Sequence, residues 1–263
     1  MTALTREDGM RMLNKVPEVT FYFWIIKIMA TTVGETAADF LNVNLNFGLI
    51  GTSVAMGVLL SVFVFMQMRA RQYVPWLYWV VVVLISVSGT LITDNLVDNF
   101  GVSLVTASIA FASLLFLTFA VWYLRERTLS IHSIFTTKRE AFYWAAILFT
   151  FALGTAAGDL AAEGLKIGYA NSTLMFGALI GAVAIAYYLF RMNAVLAFWI
   201  AYILTRPLGA SFGDYLSQPV ANGGLGLGTV GTSMLFLSTI ACLVIYLTIS
   251  RRDTQTQQVK QSI

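Results

Sequence analysis

The sequence predicts an all-α integral membrane protein of eight transmembrane helices, built as four parallel helical-hairpin repeats. Three observations predict it. Only 11% of the 263 residues are charged and 58% are hydrophobic, whereas a soluble domain carries roughly a quarter charged residues. Eight apolar segments are long enough to cross a hydrocarbon core of about 30 Å as helices. One spacing, a tryptophan followed ten residues on by glycine and five further on by aspartate, occurs four times: Trp24, Gly34, Asp39; Trp79, Gly89, Asp94; Trp144, Gly154, Asp159; Trp199, Gly209, Asp214. Self-similarity at a fixed period marks a repeat architecture. The alternation of a β-barrel is absent, and no segment reads as a soluble domain.

Taken in order, residues 1–18 are a polar lead-in that ends at Pro17 and lacks the apolar core and cleavage site of a signal peptide. The predicted helices follow at Val19–Leu41, Phe47–Met68, Trp76–Asn95, Val102–Leu124, Phe142–Ala162, Ala170–Arg191, Ala194–Ser217 and Gly226–Ile249. They form one domain, residues 19–250, with repeats at about 19–73, 74–128, 139–193 and 194–250. Residues 251–263, rich in Gln, Thr and Ser, are expected to be a disordered tail. Because each repeat crosses the membrane twice, all four share one orientation, and a pseudo-fourfold or nested twofold ring about the membrane normal closes them. Short connections at Asn42–Asn46, Val97–Gly101 and Glu163–Gly168 predict that the two helices of each hairpin pack as antiparallel neighbours.

Orientation follows from the basic residues. Arg6, Arg11 and Lys15 precede the first helix; Arg69 and Arg71, then Arg125, Arg127, Lys138 and Arg139, then Arg191, lie in alternate connections; Arg251, Arg252 and Lys260 follow the last helix. The opposite connections hold only Lys166. The positive-inside rule therefore places both termini in the cytoplasm. The net charge of +3 is topological and indicates no nucleic-acid partner. A single Cys242, within the last helix, excludes a disulfide inside the chain and reads as a small buried thiol; His132 reads as a solvated loop residue. The repeat tryptophans, with Tyr22, Tyr78, Tyr143 and Tyr202 nearby, are expected to form an interfacial belt. Glycines of the even helices, among them Gly48, Gly51, Gly57, Gly177, Gly181 and Gly231, are expected to serve helix packing or a homo-oligomer contact.

The chemistry lies in the acids. A rise of about 1.5 Å per residue puts Asp39, Asp94, Asp159 and Asp214 in the outer third of the membrane, at the negative ends of helix dipoles. Glu35, Asp98 and Glu163 stand one turn from the first three, on the same helix faces. Intramembrane carboxylates are costly, at least about 2.5–3.5 kcal/mol each, and need protonation, a cation or a hydrogen-bond partner. One partner set is internal: Ser53, Ser108, Thr173 and Ser233 stand across each hairpin at about the same depth as the aspartates and would lock the hairpins. The other is a cation. Asn42, Thr90, Thr93, Asn95, Thr155 and Asn171 add oxygen donors, and carboxylate, carbonyl and hydroxyl oxygens suit hard cations. Gly34, Gly89, Gly154 and Gly209 admit a close neighbour at that level, or a kink at Pro207. Lys27 and Arg206 break the symmetry. Lys27, two turns before Glu35, is expected to snorkel toward the inner surface and Arg206, two turns before Asp214, to pair internally, and either could act as a tethered cation.

The opening stretch, from Lys15-Val-Pro-Glu-Val-Thr20 through Trp24-Ile-Ile-Lys27 to Thr32-Val-Gly-Glu-Thr-Ala-Ala-Asp39, resembles a family of bacterial integral membrane proteins described as uncharacterised and membrane-anchored. The resemblance extends across the four repeats and implies a bacterial inner membrane. Gly34-Glu35 and Gly158-Asp159 are also similar to the Gly-acid motifs of small cation exporters.

The resulting expectation is a transporter or exporter of cations, foremost divalent metal ions carried as substrate and exchanged for protons. Asp39, Asp94, Asp159 and Asp214 would be the metal ligands, and Glu35, Asp98 and Glu163 ligands or proton acceptors. A channel with an outer acidic ring fits the same residues. The alternative is a structural or accessory membrane protein locked by the Asp–Ser/Thr pairs. No cofactor motif and no nucleophile–base constellation points to an enzyme.

Overall fold

The computed structural model describes residues 14–44 and 48–253. Within them the chain is helical, with no strand, and its long helices are α1 (Phe21–Asp39), α2 (Gly48–Arg69), α3 (Pro75–Asp94), α4 (Leu104–Glu126), α5 (Thr137–Asp159), α6 (Tyr169–Phe190), α7 (Ala194–Ser217) and α8 (Gly228–Ser250). Local sequence sets several starts: hydroxyls of Thr20, Ser103 and Thr136 and the Asn193 amide oxygen cap first-turn N–H groups, and Pro75 opens α3. Seven of the eight are long and apolar enough to span a bilayer. The exception is α1, whose hydropathy is lowered by Lys27, Glu35 and three threonines that it buries inside the bundle.

The odd helices form a closed inner ring, α1 against α3, α3 against α5, α5 against α7, and α7 back against α1. Half or more of the residues of the spans of α3, α5 and α7 are buried, against 6% for α2 and α6. The even helices form the outer layer. Their placement corrects the expectation of antiparallel hairpin neighbours: α2 packs on α3, α4 on α5, α6 on α7 and α8 on α1. Each even helix thus covers the odd helix of the following repeat. In three of the connections the odd helix widens into a π-helical turn directly after the repeat aspartate, at Phe40–Asn44, Asn95–Asn99 and Leu160–Gly164, whereas α7 runs on to Ser217 and a 3-10 turn at Val220–Asn222. A π-turn adds a residue to the turn and redirects the chain. The middle of the first connection, residues 45–47, lies outside the described residues, as do residues 1–13 and the tail from 254.

Ring closure rests on the repeat glycines. Each lies against a single equivalent position of the next odd helix, so that Gly34 meets Ser86, Gly89 meets Phe151, Gly154 meets Arg206 and Gly209 meets Thr31. Positions 31, 86, 151 and 206 share one register in the four repeats. By contrast Gly57, Gly181 and Gly231 of the even helices have open space around them. For these the expectation of packing within the bundle is corrected, because the helices turn that face outward, whereas a Cβ at Gly177 would touch Leu208 of α7 at 3.9 Å. α7 continues through Pro207 as one helix.

The aromatic belt is also relocated. Trp79, Trp144 and Trp199 are buried with Tyr78, Tyr143 and Tyr202 in the core at the end of the bundle that carries residues 14 and 253, the terminal end. Side chains exposed there are instead Phe21, Trp76, Tyr123, Tyr188 and Phe190. Cys242 is exposed on α8, not buried.

The lead-in and the start of the tail close the terminal end. Asn14–Pro17 are buried. Lys15 Nζ donates to Glu140 Oε2 at 2.6 Å and to the Met68 carbonyl at 3.0 Å, while its backbone N–H reaches the Ile134 carbonyl. Asp253 is ordered here rather than part of a loose tail. It accepts the Tyr73 hydroxyl at 2.6 Å, and its carbonyl accepts the Glu18 N–H.

Two predictions follow from this packing. Alanine at Gly89 would put a Cβ 2.7 Å from that of Phe151 and 3.1 Å from the Ala152 nitrogen. Gly89→Ala should lose about 1–3 kcal/mol of stability, read as thermal unfolding in detergent, whereas Gly57→Ala should lose none. The second concerns Asp253, whose carboxyl is lifted above the ordinary range by burial, against the opposing Tyr73 hydrogen bond. A raised folded-state value gives stability that is complete below the ordinary carboxyl range and lost as pH rises through the raised value. Hydrogen exchange of residues 14–20 should therefore speed up across that window, and Asp253→Asn should flatten the response.

Candidate cation site

The acidic, hydroxyl and basic side chains fall into layers because residues four apart on a helix share a face, about 6 Å of rise per step. In the common register of the repeats the layers are Phe23, Tyr78, Tyr143, Phe198; Lys27, Val82, Ile147, Tyr202; Thr31, Ser86, Phe151, Arg206; Glu35, Thr90, Thr155, Ala210; and Asp39, Asp94, Asp159, Asp214. Contacts across the ring put these layers on its axis.

Arg206 is the central group of the column. Fully buried, its Nη2 donates to Glu35 Oε2 on α1 at 3.0 Å, to Thr155 Oγ1 on α5 at 2.7 Å and, in a short contact, to Thr90 Oγ1 on α3. One guanidinium nitrogen from α7 thus touches all three other odd helices. The internal pairing expected for Arg206 forms, with Glu35 of the neighbouring α1 as its partner. The fourth member of that layer is Ala210, small enough to leave the space. Arg206 Nε and Nη1 have no hydrogen-bond partner.

Above Arg206 lies the acid ring. Glu35, Asp159 and Asp214 each offer a carboxylate oxygen within 4.8 Å of the others. Glu35 and Asp214 are buried, and Asp159 is partly accessible. Asp39 and Asp94 line the same ring without joining that close group: Asp39 feels the charges of Glu35, Glu163 and Asp98, and Asp94 those of Glu35, Asp159, Asp39 and Asp98. Asp98 and Glu163 are exposed at the mouth, where Glu163 accepts the Tyr169 hydroxyl at 2.8 Å. Exposure falls steadily from the mouth to Glu35. The site is a funnel open at the acid end.

The expected Asp–Ser/Thr clamps do not form, because the even helix that would supply the hydroxyl has moved to the next repeat. Ser53 receives the Asn95 amide at 2.7 Å, Ser108 Oγ has no partner, Thr173 donates back to the Tyr169 carbonyl and Ser233 pairs with Thr36 at 2.7 Å. Among the described residues no donor reaches the four repeat aspartates.

Lys27 does not snorkel. It is fully buried, with Nζ 4.3 Å from the ring centroids of both Phe151 and Tyr202 and no hydrogen-bond acceptor. Cation–π contacts of this kind contribute about 0.5–2 kcal/mol each. Below it the Tyr78 and Tyr143 hydroxyls meet at 2.5 Å.

Sequence reasoning assigned Thr90 and Thr155 only as neighbouring oxygens and missed Ser86 and Thr36. Aligning the repeats column by column would have found the first three, since Thr90 and Thr155 share the Glu35 column and Ser86 that of Arg206. Thr36 bonds an outer helix of another repeat, and no local signal marks it.

Breaking the central pair should be severe. Glu35→Gln leaves a buried guanidinium without its counter-charge and should lose about 3–5 kcal/mol in thermal unfolding, part of it recovered in Glu35→Gln/Arg206→Met.

No curated protein and no solved structure matches the chain. A family model described as Repeat of Unknown Function (DUF347) matches four times, at residues 22–73, 77–128, 142–193 and 197–253, once for each repeat. With most of its length so covered, the chain belongs to that repeat family.

Proposed function

We propose that the protein carries cations across the membrane, foremost divalent metal ions, by binding them in the axial acid ring and exchanging them for protons. The observation that carries this reading is the cluster of Glu35, Asp159 and Asp214, with carboxylate oxygens within 4.8 Å of one another, beside repeat aspartates that no donor among the described residues reaches. Like charges brought this close in a largely buried funnel require compensation. Arg206 and Lys27 supply two positive charges against the five carboxylates of Glu35 and the four aspartates. A hard cation with oxygen ligands supplies the rest. Asp159, Asp214 and Glu35 are the innermost ligands; Asp39 and Asp94 line the entry, and Asp98 and Glu163 gather cations at the mouth.

Arg69, Arg71, Arg125, Arg127, Arg191 and Arg251 all follow even helices or their ends, at the terminal end of the bundle. This supports cytoplasmic termini and an acid mouth facing outward, in a bacterial inner membrane, and hence export. Arg206 and Lys27 stand as fixed and tethered positive charges below the ring, which disfavours an open cation channel along the axis.

The test is divalent-cation flux into proteoliposomes across a panel of ions, comparing wild type with Asp159→Asn and Asp214→Asn. Each substitution removes one charged ligand, worth about 1.5–3 kcal/mol, and should weaken binding and flux at least about tenfold. No flux for any ion, with all three proteins equally folded, would leave the acids the role of holding the ring together through Arg206.

A further inference from the structure

Lys27 has no part in the acid ring, yet it stands on the same axis, two turns below Glu35. Its surroundings differ from those of every other buried cation in the described residues. Lys15 is tied to Glu140 and Arg206 to Glu35, whereas Lys27 Nζ has neither an ion pair nor a hydrogen bond and rests on two aromatic faces. A carboxylate partner would hold the ammonium form alone. An aromatic cage accommodates both states, the cation against the negative π faces and the neutral amine as an apolar guest.

Hydroxyl groups stand on both sides of it. Above are Ser86 Oγ, which has no partner, and the Thr90 and Thr155 hydroxyls around Arg206. Below are the Tyr202 hydroxyl, also without a partner, and the Tyr78–Tyr143 pair, and at the terminal end Tyr73 donates to Asp253. The titratable groups nearest Lys27 are Arg206 and Tyr202 from α7, with Tyr78 from α3 and Tyr143 from α5 one layer below; the buried residues of α8, which also packs on α1, are Thr232, Ser233, Ile240, Val244 and Leu247. Arginine does not give up its proton in a protein. Tyrosine hydroxyls can pass a proton along, but the amine is the group in this column that can hold one or lack one.

We propose that Lys27 is the proton carrier of the axis, taking up and releasing the proton that is exchanged for the cation in the acid ring. This rests on the acid ring being a cation site. In one turn the amine takes a proton arriving from the acid end and becomes an ammonium, which then passes a proton to a tyrosine hydroxyl below as that hydroxyl releases its own toward the terminal end. One proton crosses and none is made or lost. Two helical turns are about 12 Å, where a divalent ion and an ammonium repel enough, at an effective dielectric near 20, for each to disfavour the other by on the order of a hundredfold. That repulsion is the coupling.

The experiment uses the full chain and the divalent ions Mg2+, Ca2+ and Mn2+, with binding measured calorimetrically in detergent and proton movement followed with a pH-sensitive dye inside proteoliposomes. Lys27→Arg retains the charge and the aromatic contacts but cannot release a proton; Lys27→Met removes the charge. Both should bind the ion that wild type binds, while ion-driven proton movement falls at least tenfold. Tyr202→Phe keeps the aromatic cage and removes one hydroxyl, and should slow proton movement without loss of fold, which tests the route even where a Lys27 variant is unstable. Wild-type proton movement in Lys27→Arg, or in Tyr202→Phe with an unaltered rate, would overturn the carrier role while leaving the cation site standing. Absence of binding by wild type for all three ions would remove the cation site and the coupling together.

Discussion

The structure depends on the close approach of four inner helices at four glycines. Gly34, Gly89, Gly154 and Gly209 each let the next odd helix come near enough that a Cβ would strike Ser86, Phe151, Arg206 or Thr31. In lipid there is little hydrophobic force between apolar helices, so dispersion contacts and buried hydrogen bonds must bring them together. The hydroxyls extend those contacts: Thr32 donates to the Gly209 carbonyl and Thr93 to that of Ala152. Once the ring closes, its axis is removed from lipid, and polar groups there have only one another as partners.

This enclosure explains how an arginine and a lysine can be fully buried in a chain so poor in charge. Arg206 is held because three other helices bring an oxygen to one of its nitrogens, and because Gly154 admits its stem. A fourfold arrangement of identical side chains would offer either four cations or four acids to that point. Divergence of the repeats provides one arginine, one glutamate, two threonines and an alanine instead. The aspartates have not diverged, and above Arg206 the acids therefore remain in excess. Four equivalent aspartates thus rest on an asymmetric charged floor.

The outer helices show a different constraint. Their apolar faces are exposed along their length, and Gly57, Gly181 and Gly231 have open space, as suits a lipid-facing layer packed mainly on one inner helix each. Displacement of each even helix onto the following repeat interlocks the repeats. A hairpin packed on itself would close as a unit and leave the ring held by the odd helices alone.

Much was legible from sequence. The eight helices, their common repeat and the alternate placement of basic residues follow from hydropathy, spacing and charge, which are local properties of the chain. That Asp39, Asp94, Asp159 and Asp214 belong to one level follows from a constant rise per residue. What spacing could not decide was the partner of each group, because pairing across a hairpin and pairing across a ring place the same residues at the same depth. Only the tertiary structure decided that Ser53 turns to Asn95, that the internal partner of Arg206 is Glu35, and that Lys27 stays inside against Phe151 and Tyr202. Depth is set by sequence position along a helix. Azimuth, and with it the contacts on the axis, is set by which helix each repeat glycine admits.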